Sequence, residues 1–415
     1  MSRILGVPRE GTPSVATGAR EIAAAVSVLE FGYGPFAIDT ERAAGFRYDD
    51  RVFLLQVRRE GAGTVLFDVE SDRAATSTYL EPILNGADWI LHAAISDLPS
   101  LAALGLHPGR LFDTEIAGRL LGYDKVNLAA MVQHYFDREL LKGHGAEDWS
   151  RRPLPQEWIN YAALDVELLI ELARLMAKDL KDAGKITWIE QECQFVQTRF
   201  AHYQAPSRLW TDTKGLNSLK TPQKLAVARA LWQEREREGS MEDLAPSAIL
   251  PDRVLVALAS SMPTHASKVL RTKGYPHRLR SRATTWAKII AEAKRTDSAL
   301  WPDPLELPHK VHTTSGGEIT VLSKRAIQQH YPAVYEELEW VNSQLAKRAA
   351  ELAVPQENII TPADSRALVW AIAHEGLVSS ERELQSYLKD VGVRPWQAGL
   401  VFRIFSRLIN RARRH

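Results

Sequence analysis

The chain has 415 residues, of which 45% are hydrophobic and 25% are charged; this composition excludes a disordered chain, and the length allows about three domains. The one cysteine, Cys193, excludes an intrachain disulfide and a cysteine-rich zinc site and predicts a reducing compartment. Because no apolar run approaches the roughly 18 residues of a membrane span and residues 1–17 lack the apolar core of a signal peptide, we expect a cytoplasmic protein without a membrane partner.

The net charge of +1 conceals two oppositely charged halves. Residues 1–200 carry 21 Lys and Arg against 29 Asp and Glu, a net charge of −8, whereas residues 201–415 carry 31 against 22, a net charge of +9. Such an asymmetry is expected when a metal-binding catalytic part is joined to a part that binds a polyanion. Chance variation in solvated surface charge is the alternative explanation.

The pattern between about residue 20 and residue 190 predicts an α/β fold. Short apolar runs bounded by turn residues indicate strands. Five strands are predicted, at 36–39, 51–57, 63–68, 89–92 and 111–113. The first three are expected to form an antiparallel meander, and the last two alternate with helices. This order predicts a mixed sheet covered by helices.

After a long helix predicted at 186–203, the sequence indicates only helices. Thr221 followed by Pro222 predicts a helix start, with a capping residue and then proline in the first turn. Pro332 opens a second long helix, and the interval from Pro222 to Pro332 equals the interval from Trp286 to Trp396. These matches predict two copies of a module of four or five helices.

Two acids follow the first predicted strand directly. Along a strand, side chains alternate between the two faces, so Asp39 and Glu41 are expected on one side and Thr40 on the other. Two neighbouring carboxylates repel each other, and a divalent cation is the usual compensation because hard cations take oxygen ligands. Two solvated acids at a strand end are an equally plausible interpretation of this short motif by itself.

Later residues can complete this acidic pair. Ser96 is expected to cap a helix that carries Asp97 in its first turn, where an acid also favours the helix dipole. Asp113 is better interpreted as a helix cap. Tyr161 and Asp165 are four residues apart, so on a helix they share one face and could present a phenol and a carboxylate together. A half-buried tyrosine on a helix surface is the structural alternative.

The order of these residues resembles that of the DEDD exonucleases, in the subgroup that has a tyrosine. The sequences of the individual motifs are similar to those of ribonuclease D. The similar segments are Ile38-Asp39-Thr40-Glu41, Leu91-His92-Ala93 with Asp97, Phe112-Asp113-Thr114, and residues 148–154 leading to Tyr161-Ala162-Ala163-Leu164-Asp165-Val166. The resemblance covers roughly residues 20–200. Residues 214–296 resemble the HRDC module, and the final segment resembles a degenerate second copy.

The resemblance implies a ribonuclease H-like exonuclease domain, with a five-stranded mixed sheet flanked by helices, followed by two all-α HRDC-like domains. The expected boundaries are 1–205 for the exonuclease domain with its connecting helix, 214–296 for the HRDC domain, 297–325 for a linker and 326–415 for the second helical domain. Arg42 departs from the family, which commonly has a bulky apolar residue at that position.

The resemblance also implies a 3′-5′ exoribonuclease that releases nucleoside 5′-monophosphates. Asp39, Glu41, Asp97 and Asp165 would hold two divalent ions, magnesium or manganese, and Tyr161 would orient the attacking water. The expected partners are single-stranded RNA 3′ ends, those of transfer RNA precursors among them. Basic residues of the first helical module are the candidates for phosphate contacts. They are Lys268, Arg271, Lys273, Arg278, Arg280 and Arg282.

Three other functions compete with this one. A DNA exonuclease of repair or proofreading would use the same acids, and only the similarity of the motif sequences to ribonuclease D favours RNA as the substrate. An inactive RNA-binding scaffold would be expected to have lost an acid or the tyrosine, and all five residues are present. A helicase and a nucleotide cofactor are not expected, because no G-x-x-x-x-G-K-[ST] phosphate loop occurs.

Overall fold

The fold is described from a computed structural model that covers residues 3–140, 143–302, 312–314, 317–319 and 322–413. Within the described ranges, strands occur in residues 3–140 and in one short antiparallel pair. They are β1 (Arg3–Leu5), β2 (Val15–Ala16), β3 (Tyr33–Arg42), β4 (Val52–Glu60), β5 (Gly63–Asp68), β6 (Asp88–Leu91), β7 (Arg110–Asp113), β8 (Arg138–Leu140), β9 (His312–Thr314) and β10 (Gly317–Ile319).

The central sheet has the strand order β2-β5-β4-β3-β6-β7. The strands β3, β4 and β5 form the predicted antiparallel meander, and the pairs β2–β5, β3–β6 and β6–β7 are parallel. All five predicted strands are present, but the predicted count is one too low, because β2 adds a sixth strand at the edge. With two residues, β2 is too short to show an alternating pattern, and its place depends on pairing with β5.

Eight helices of the described residues surround this sheet or extend from it. They are α1 (Gly18–Glu30), α2 (Arg73–Leu84), α3 (Leu98–Ala102), α4 (Thr114–Leu121), α5 (Leu128–Phe136), α6 (Gln156–Glu167), α7 (Leu169–Asp182) and α8 (Ile186–Phe200). Phe36, Ala37 and Ile38 of β3 are fully buried in the core between sheet and helices. This apolar run fixes the register of β3 and thereby the position of the acids that follow it.

The remaining described residues form two helical modules, each with its own apolar core. The first helical module contains α9 (Pro222–Glu242), α10 (Pro246–Ile249), α11 (Asp252–Ser261), α12 (Ala266–Leu270) and α13 (Ala283–Ala293). The second helical module contains α14 (Lys324–His330), α15 (Pro332–Leu352), α16 (Gln356–Ile359), α17 (Pro362–Ala373), α18 (Glu381–Asp390) and α19 (Pro395–Ala412). The strands β9 and β10 form an antiparallel hairpin within the segment predicted as a linker.

The helix bounds repeat with the interval that the prolines predicted. The helices α9 and α15 each have 21 residues, and the starts of α10 and α11 precede those of α16 and α17 by the same interval that separates Pro222 from Pro332. Thr221 caps α9 as predicted, with its hydroxyl accepting from the backbone N–H of Lys224 at 3.4 Å. The two long helices also end alike, in left-handed residues, at Asp243 and Ala353.

The first helical module contacts the sheet domain through residues 43–51, here called the 43–51 loop, which joins β3 to β4. Arg51 donates to both carboxylate oxygens of Asp243, at 3.0 and 2.7 Å, and the Tyr48 hydroxyl donates to Glu236 at 3.2 Å. A side chain at Gly239 would lie 3.1 Å from the Tyr48 ring. The module is therefore attached to the chain segment that leaves the acidic end of β3.

The second helical module contacts the other end of the sheet domain. Lys185, only 8% exposed, donates to the carbonyl oxygens of Leu120 at 2.7 Å and Leu352 at 2.8 Å. These carbonyls belong to the last turns of α4 and α15, where helices leave acceptors unpaired. Trp188 stacks on Trp396 with ring centroids 4.4 Å apart. One buried ammonium group thus satisfies helix ends from both domains.

No helix within the described ranges is both long enough and apolar enough to cross a membrane.

Candidate active site

Three carboxylates converge at the end of β3. Alternation along the strand directs Asp39 and Glu41 to one side, and α6 packs against β3 and brings Asp165 to them. Carboxylate oxygens of these three residues all lie within 4.8 Å of one another. We call this group the three-carboxylate cluster; among the described residues, it is the group of acidic, histidine and cysteine side chains spaced closely enough to hold a metal ion.

Asp97 lies beside this cluster but is held from the opposite side of β3. The Thr40 hydroxyl donates to Asp97 Oδ1 at 2.5 Å, and Arg42 Nη2 lies 3.8 Å from the same oxygen. The predicted cap is wrong, because Ser96 ends a short 3₁₀ turn and Asp97 itself takes the N-cap position of α3. Its carboxylate caps nothing, since Thr40 already engages it.

Asp113 shapes the turn that leads to Asp97. Its carboxylate accepts from the N–H groups of Glu115 at 2.8 Å and Ile116 at 3.2 Å, which confirms the predicted cap. It also accepts from Ala93 at 3.1 Å and Ala94 at 2.7 Å. Ala93 has a φ of 60°, a left-handed conformation that is uncommon for a residue with a side chain. Asp113 is therefore a positioning residue for the turn before Asp97.

Tyr161 and Asp165 both lie on α6, which forms where the four-residue spacing predicted a helix. The phenol of Tyr161 lies close enough to Asp165 for the charge of the carboxylate to raise the pKa of the phenol. The Tyr161 ring contacts His144, with ring centroids 5.7 Å apart, and Trp149, with centroids 6.4 Å apart. Sequence reasoning missed His144, because a histidine in a loop carries no periodic signal; Trp149 lies in the 148–154 segment that resembles ribonuclease D.

Burial and mutual repulsion raise the pKa values of all four carboxyls. Burial and then the neighbouring acids hold the pKa values of Asp39 and Glu41 well above their usual range. Burial is also the main cause that raises the pKa of Asp97 to about 6 and that of Asp165 to about 7. The burial of Tyr161 and the charge of Asp165 raise the pKa of the phenol, so it stays protonated near neutral pH.

These residues fit a divalent metal ion. Oxygen-only donors are the ligands that magnesium and manganese take, and a cation would offset the repulsion that raises the pKa values of the acids. The charge of Arg42 lowers the pKa values of three of the four carboxyls, Asp39, Glu41 and Asp97.

The six predicted phosphate-binding residues occupy two different environments. Lys268, Arg271 and Lys273 are exposed and line an open cavity of about 640 Å³ together with Lys294. The remaining three make contacts within the module, although Arg278 and Arg280 are also exposed. Arg278 donates to the carbonyl oxygen of Ala248 at 2.6 Å, Arg280 contacts His277 at 3.0 Å, and Arg282 pairs with Glu238 and Glu242.

Three protein-family models match the chain. Residues 15–181 match a 3′-5′ exonuclease model, residues 224–290 match an HRDC domain model, and residues 321–409 match a model described as a 3′ to 5′ exonuclease C-terminal domain. The three matches follow one another in the order of the sheet domain, the first helical module and the second helical module.

Individual proteins are similar to this chain over much of its length. The chain is 29% identical to ribonuclease D of Nitrobacter hamburgensis over 237 residues, which cover 56% of this chain and 60% of that protein. A crystal structure of a protein from Bifidobacterium adolescentis has a TM-score of 0.87 and 32% identity and covers 99% of this chain and all of the other. The structure of Escherichia coli RNase D has a TM-score of 0.65 and 21% identity and covers 96% of this chain and 99% of the other. That protein is described as an exoribonuclease involved in structured RNA processing. At this identity the comparison shows that the two chains share a fold.

Proposed function

The chain belongs to the ribonuclease D family, and from this premise we propose that it is a metal-dependent 3′-5′ exoribonuclease that releases nucleoside 5′-monophosphates from RNA 3′ ends. The observation that carries the proposal is the convergence of Asp39, Glu41 and Asp165 within 4.8 Å, beside Asp97 and Tyr161, on a fold whose residues 15–181 match a 3′-5′ exonuclease model. The proposed substrates include transfer RNA precursors.

We assign the metal site to Asp39, Glu41 and Asp165, with Asp97 completing a site for two divalent ions. Bound magnesium or manganese would supply a water of lowered pKa and would stabilise the charge that develops on the leaving 3′-oxygen. The chain's own part is to keep four carboxylates together. The rigid apolar core under β3 holds Asp39 and Glu41, α6 holds Asp165, and the Thr40 hydroxyl orients Asp97.

Tyr161 is assigned the role of orienting the attacking water. Because burial and the charge of Asp165 raise the pKa of its phenol, the group keeps its proton and acts as a hydrogen-bond donor, not as a base. A side chain at Gly145 would lie 3.3 Å from the phenol oxygen. The glycine therefore leaves space beside the hydroxyl.

A timed digestion of matched single-stranded RNA and DNA, each labelled at the 5′ end, tests the proposed function. A ladder that shortens from the 3′ end in magnesium, faster on RNA and abolished by a chelator, is the expected result. A faster ladder on DNA would assign the protein to DNA repair or proofreading. Tight binding of both strands without any ladder would contradict catalysis and favour an RNA-binding scaffold.

The raised pKa values predict that metal binding depends on pH. In the unfolded chain an aspartate has a pKa of about 4, so the metal-free folded protein binds more protons at intermediate pH. The stability contributed by these protons is fully present below that value and is lost as the pH rises through about 6 for Asp97 and about 7 for Asp165. Metal ions require the deprotonated carboxylates, so we expect manganese to raise the thermal unfolding midpoint more at pH 8 than at pH 5.5.

Thermal unfolding in chelator and in manganese across this pH range measures the effect. Asp165→Asn serves as the control, because it removes one ligand and one titrating group and should reduce both the pH dependence and the metal increment. A metal increment that is equal at the two pH values, or larger at pH 5.5, would contradict the assignment.

We propose that Lys268, Arg271 and Lys273 bind RNA phosphates, since they are exposed, line one cavity and make no side-chain ion pair within the described residues. Replacing all three by glutamine should weaken single-stranded RNA binding at low salt. It should also reduce the slope of log affinity against log salt by about 0.7 for each phosphate that is no longer neutralised. Filter binding at several salt concentrations measures both quantities.

The matched control removes the same charge from the sheet domain, by Arg110→Gln, Arg174→Gln and Lys178→Gln. These side chains are exposed and pair with single acids, so their replacement should leave the salt slope nearly unchanged. Equal losses of slope in the two triple variants would mean that binding follows net charge and not the cavity.

A further inference from the structure

Arg42 lies between Asp97 and the 43–51 loop that contacts the first helical module. The pairing of β3 with β4 shifts register between Glu41 and Arg42, and such an irregularity re-aims a side chain. The Arg42 guanidinium reaches three acceptors, which are Asp97 Oδ1 at 3.8 Å, the carbonyl oxygen of Ser96, and Asp50 Oδ2 at 3.6 Å. It therefore supplies a positive charge beside Asp97.

The contact with Asp97 can be exchanged. At 3.8 Å it is a charge contact and not a hydrogen bond, which requires a shorter distance. The Thr40 hydroxyl holds Asp97 through the same oxygen, Oδ1, so Asp97 keeps its place when the guanidinium leaves. Asp50 has a side chain that is 60% exposed, and an ion pair with so exposed an acid is weak. The Arg42 side chain itself is 24% exposed and can be reached from solvent.

Resting on the proposed function, we propose that Arg42 takes the place of a cation beside Asp97 until RNA arrives, and that a phosphate of the RNA then draws the guanidinium away and frees Asp97 for a metal ion. Arginine binds phosphate through two parallel hydrogen bonds, whereas its contact with Asp97 offers none. Arg42 is therefore a positioning residue that couples metal binding at Asp97 to the presence of substrate.

A role of Arg42 as a purely structural tie between β3 and the start of α3 makes a different prediction. In that case its replacement would loosen the turn at Ser96 and weaken metal binding at Asp97. In the proposed role, its replacement removes a competitor and strengthens metal binding. The sign of the change therefore separates the two explanations without any measurement of hydrolysis.

The test is a titration of the full chain with manganese in the absence of RNA, in which the free ion is followed by electron paramagnetic resonance. For the unsubstituted protein we expect one tighter and one weaker site. Arg42→Leu should tighten the weaker site by about tenfold, between the effect of an exposed ion pair and that of a buried one. Arg42→Lys keeps the positive charge but loses the paired hydrogen-bond donors of the guanidinium. The manganese affinity of its weaker site should lie between those of the unsubstituted protein and Arg42→Leu.

Two further measurements locate the effect. In the Asp97→Asn background, Arg42→Leu should change manganese binding less than it does in the unsubstituted protein, because Asp97 is the acid of the site that the guanidinium contacts directly. Adenosine 5′-monophosphate, which carries a phosphate, should tighten the weaker site of the unsubstituted protein, whereas adenosine should not; in Arg42→Leu neither should. A titration without protein corrects for manganese that the nucleotide binds.

The outcomes distinguish this inference from the proposed function. If the unsubstituted protein bound no manganese, the metal-dependent function would fail. If it bound manganese and neither Arg42 variant tightened the weaker site, or if Arg42→Leu tightened it equally in the Asp97→Asn background, the role of Arg42 would be overturned while the proposed function stood.

Discussion

Asp39→Asn is expected to lower the single-turnover rate of RNA hydrolysis by about four orders of magnitude, the scale on which losing one member of a catalytic unit acts. The side chain of Asp39 lies at the centre of the acidic site, where both the other cluster acids and Asp97 affect it. An amide keeps the shape of the side chain but loses the charge and one oxygen donor. Asp165→Asn should lower the single-turnover rate by a similar factor, because Asp165 is the acid that α6 contributes to the cluster.

RNA affinity should remain within about twofold in both variants, because most of the binding is assigned to phosphate contacts of basic residues outside the cluster. The thermal unfolding midpoint in chelator should not fall, since each substitution removes one of several mutually repelling carboxyls. Asp88→Asn is the matched control, as Asp88 pairs with exposed Arg110 on the sheet edge. A near-normal rate in magnesium for either cluster variant would refute the metal assignment.

Tyr161→Phe is expected to have the second largest effect, a decrease in the single-turnover rate of about 10²-fold, which is what removing one hydrogen-bond donor from a reacting centre costs. The ring should keep its contacts with His144 and Trp149, so RNA affinity and the thermal unfolding midpoint should barely change. Because the phenol stays protonated, the unsubstituted protein should show no step in rate from Tyr161 between pH 7 and pH 9.

Tyr33→Phe provides the control, since this tyrosine is 65% exposed and lies at the start of β3, the end opposite the acids. A loss of RNA affinity in Tyr161→Phe, with the rate at saturating RNA unchanged, would contradict the orienting role. It would instead make Tyr161 a contact for the terminal nucleotide.

The parts of the site that could be predicted from sequence are those that local geometry determines. Asp39 and Glu41 follow a buried apolar run on one strand, and Tyr161 and Asp165 lie one helical turn apart, so alternation and helix periodicity were enough. The surroundings of Asp97 could not be predicted, because they depend on where α3 lies relative to β3. That arrangement places Thr40, on the other face of β3 from Asp39 and Glu41, and Arg42, which follows the register shift, against Asp97.

The distribution of charge along the sequence predicted the phosphate-binding residues only in part. Arg278 and Arg282 stand in the same basic segment as Lys273, and nothing local distinguishes them. The acids that pair with Arg282 come from α9, at the start of the module, so only the packed module shows which cations are engaged by its own residues. The edge strand β2 was missed for the same reason, since two residues pair with β5 only once the sheet exists.

The repeated left-handed residue that ends each long helix has a consequence for how the chain is assembled. Asp243 receives Arg51 from the sheet domain, and Ala353, its counterpart in the second module, lies against Gly122, where an added side chain would come within 2.2 Å of its carbonyl oxygen. The two helical modules therefore meet two unrelated surfaces at corresponding helix ends, once through an ion pair and once through a close backbone contact. An insertion directly after either long helix would therefore disturb a contact with the sheet domain.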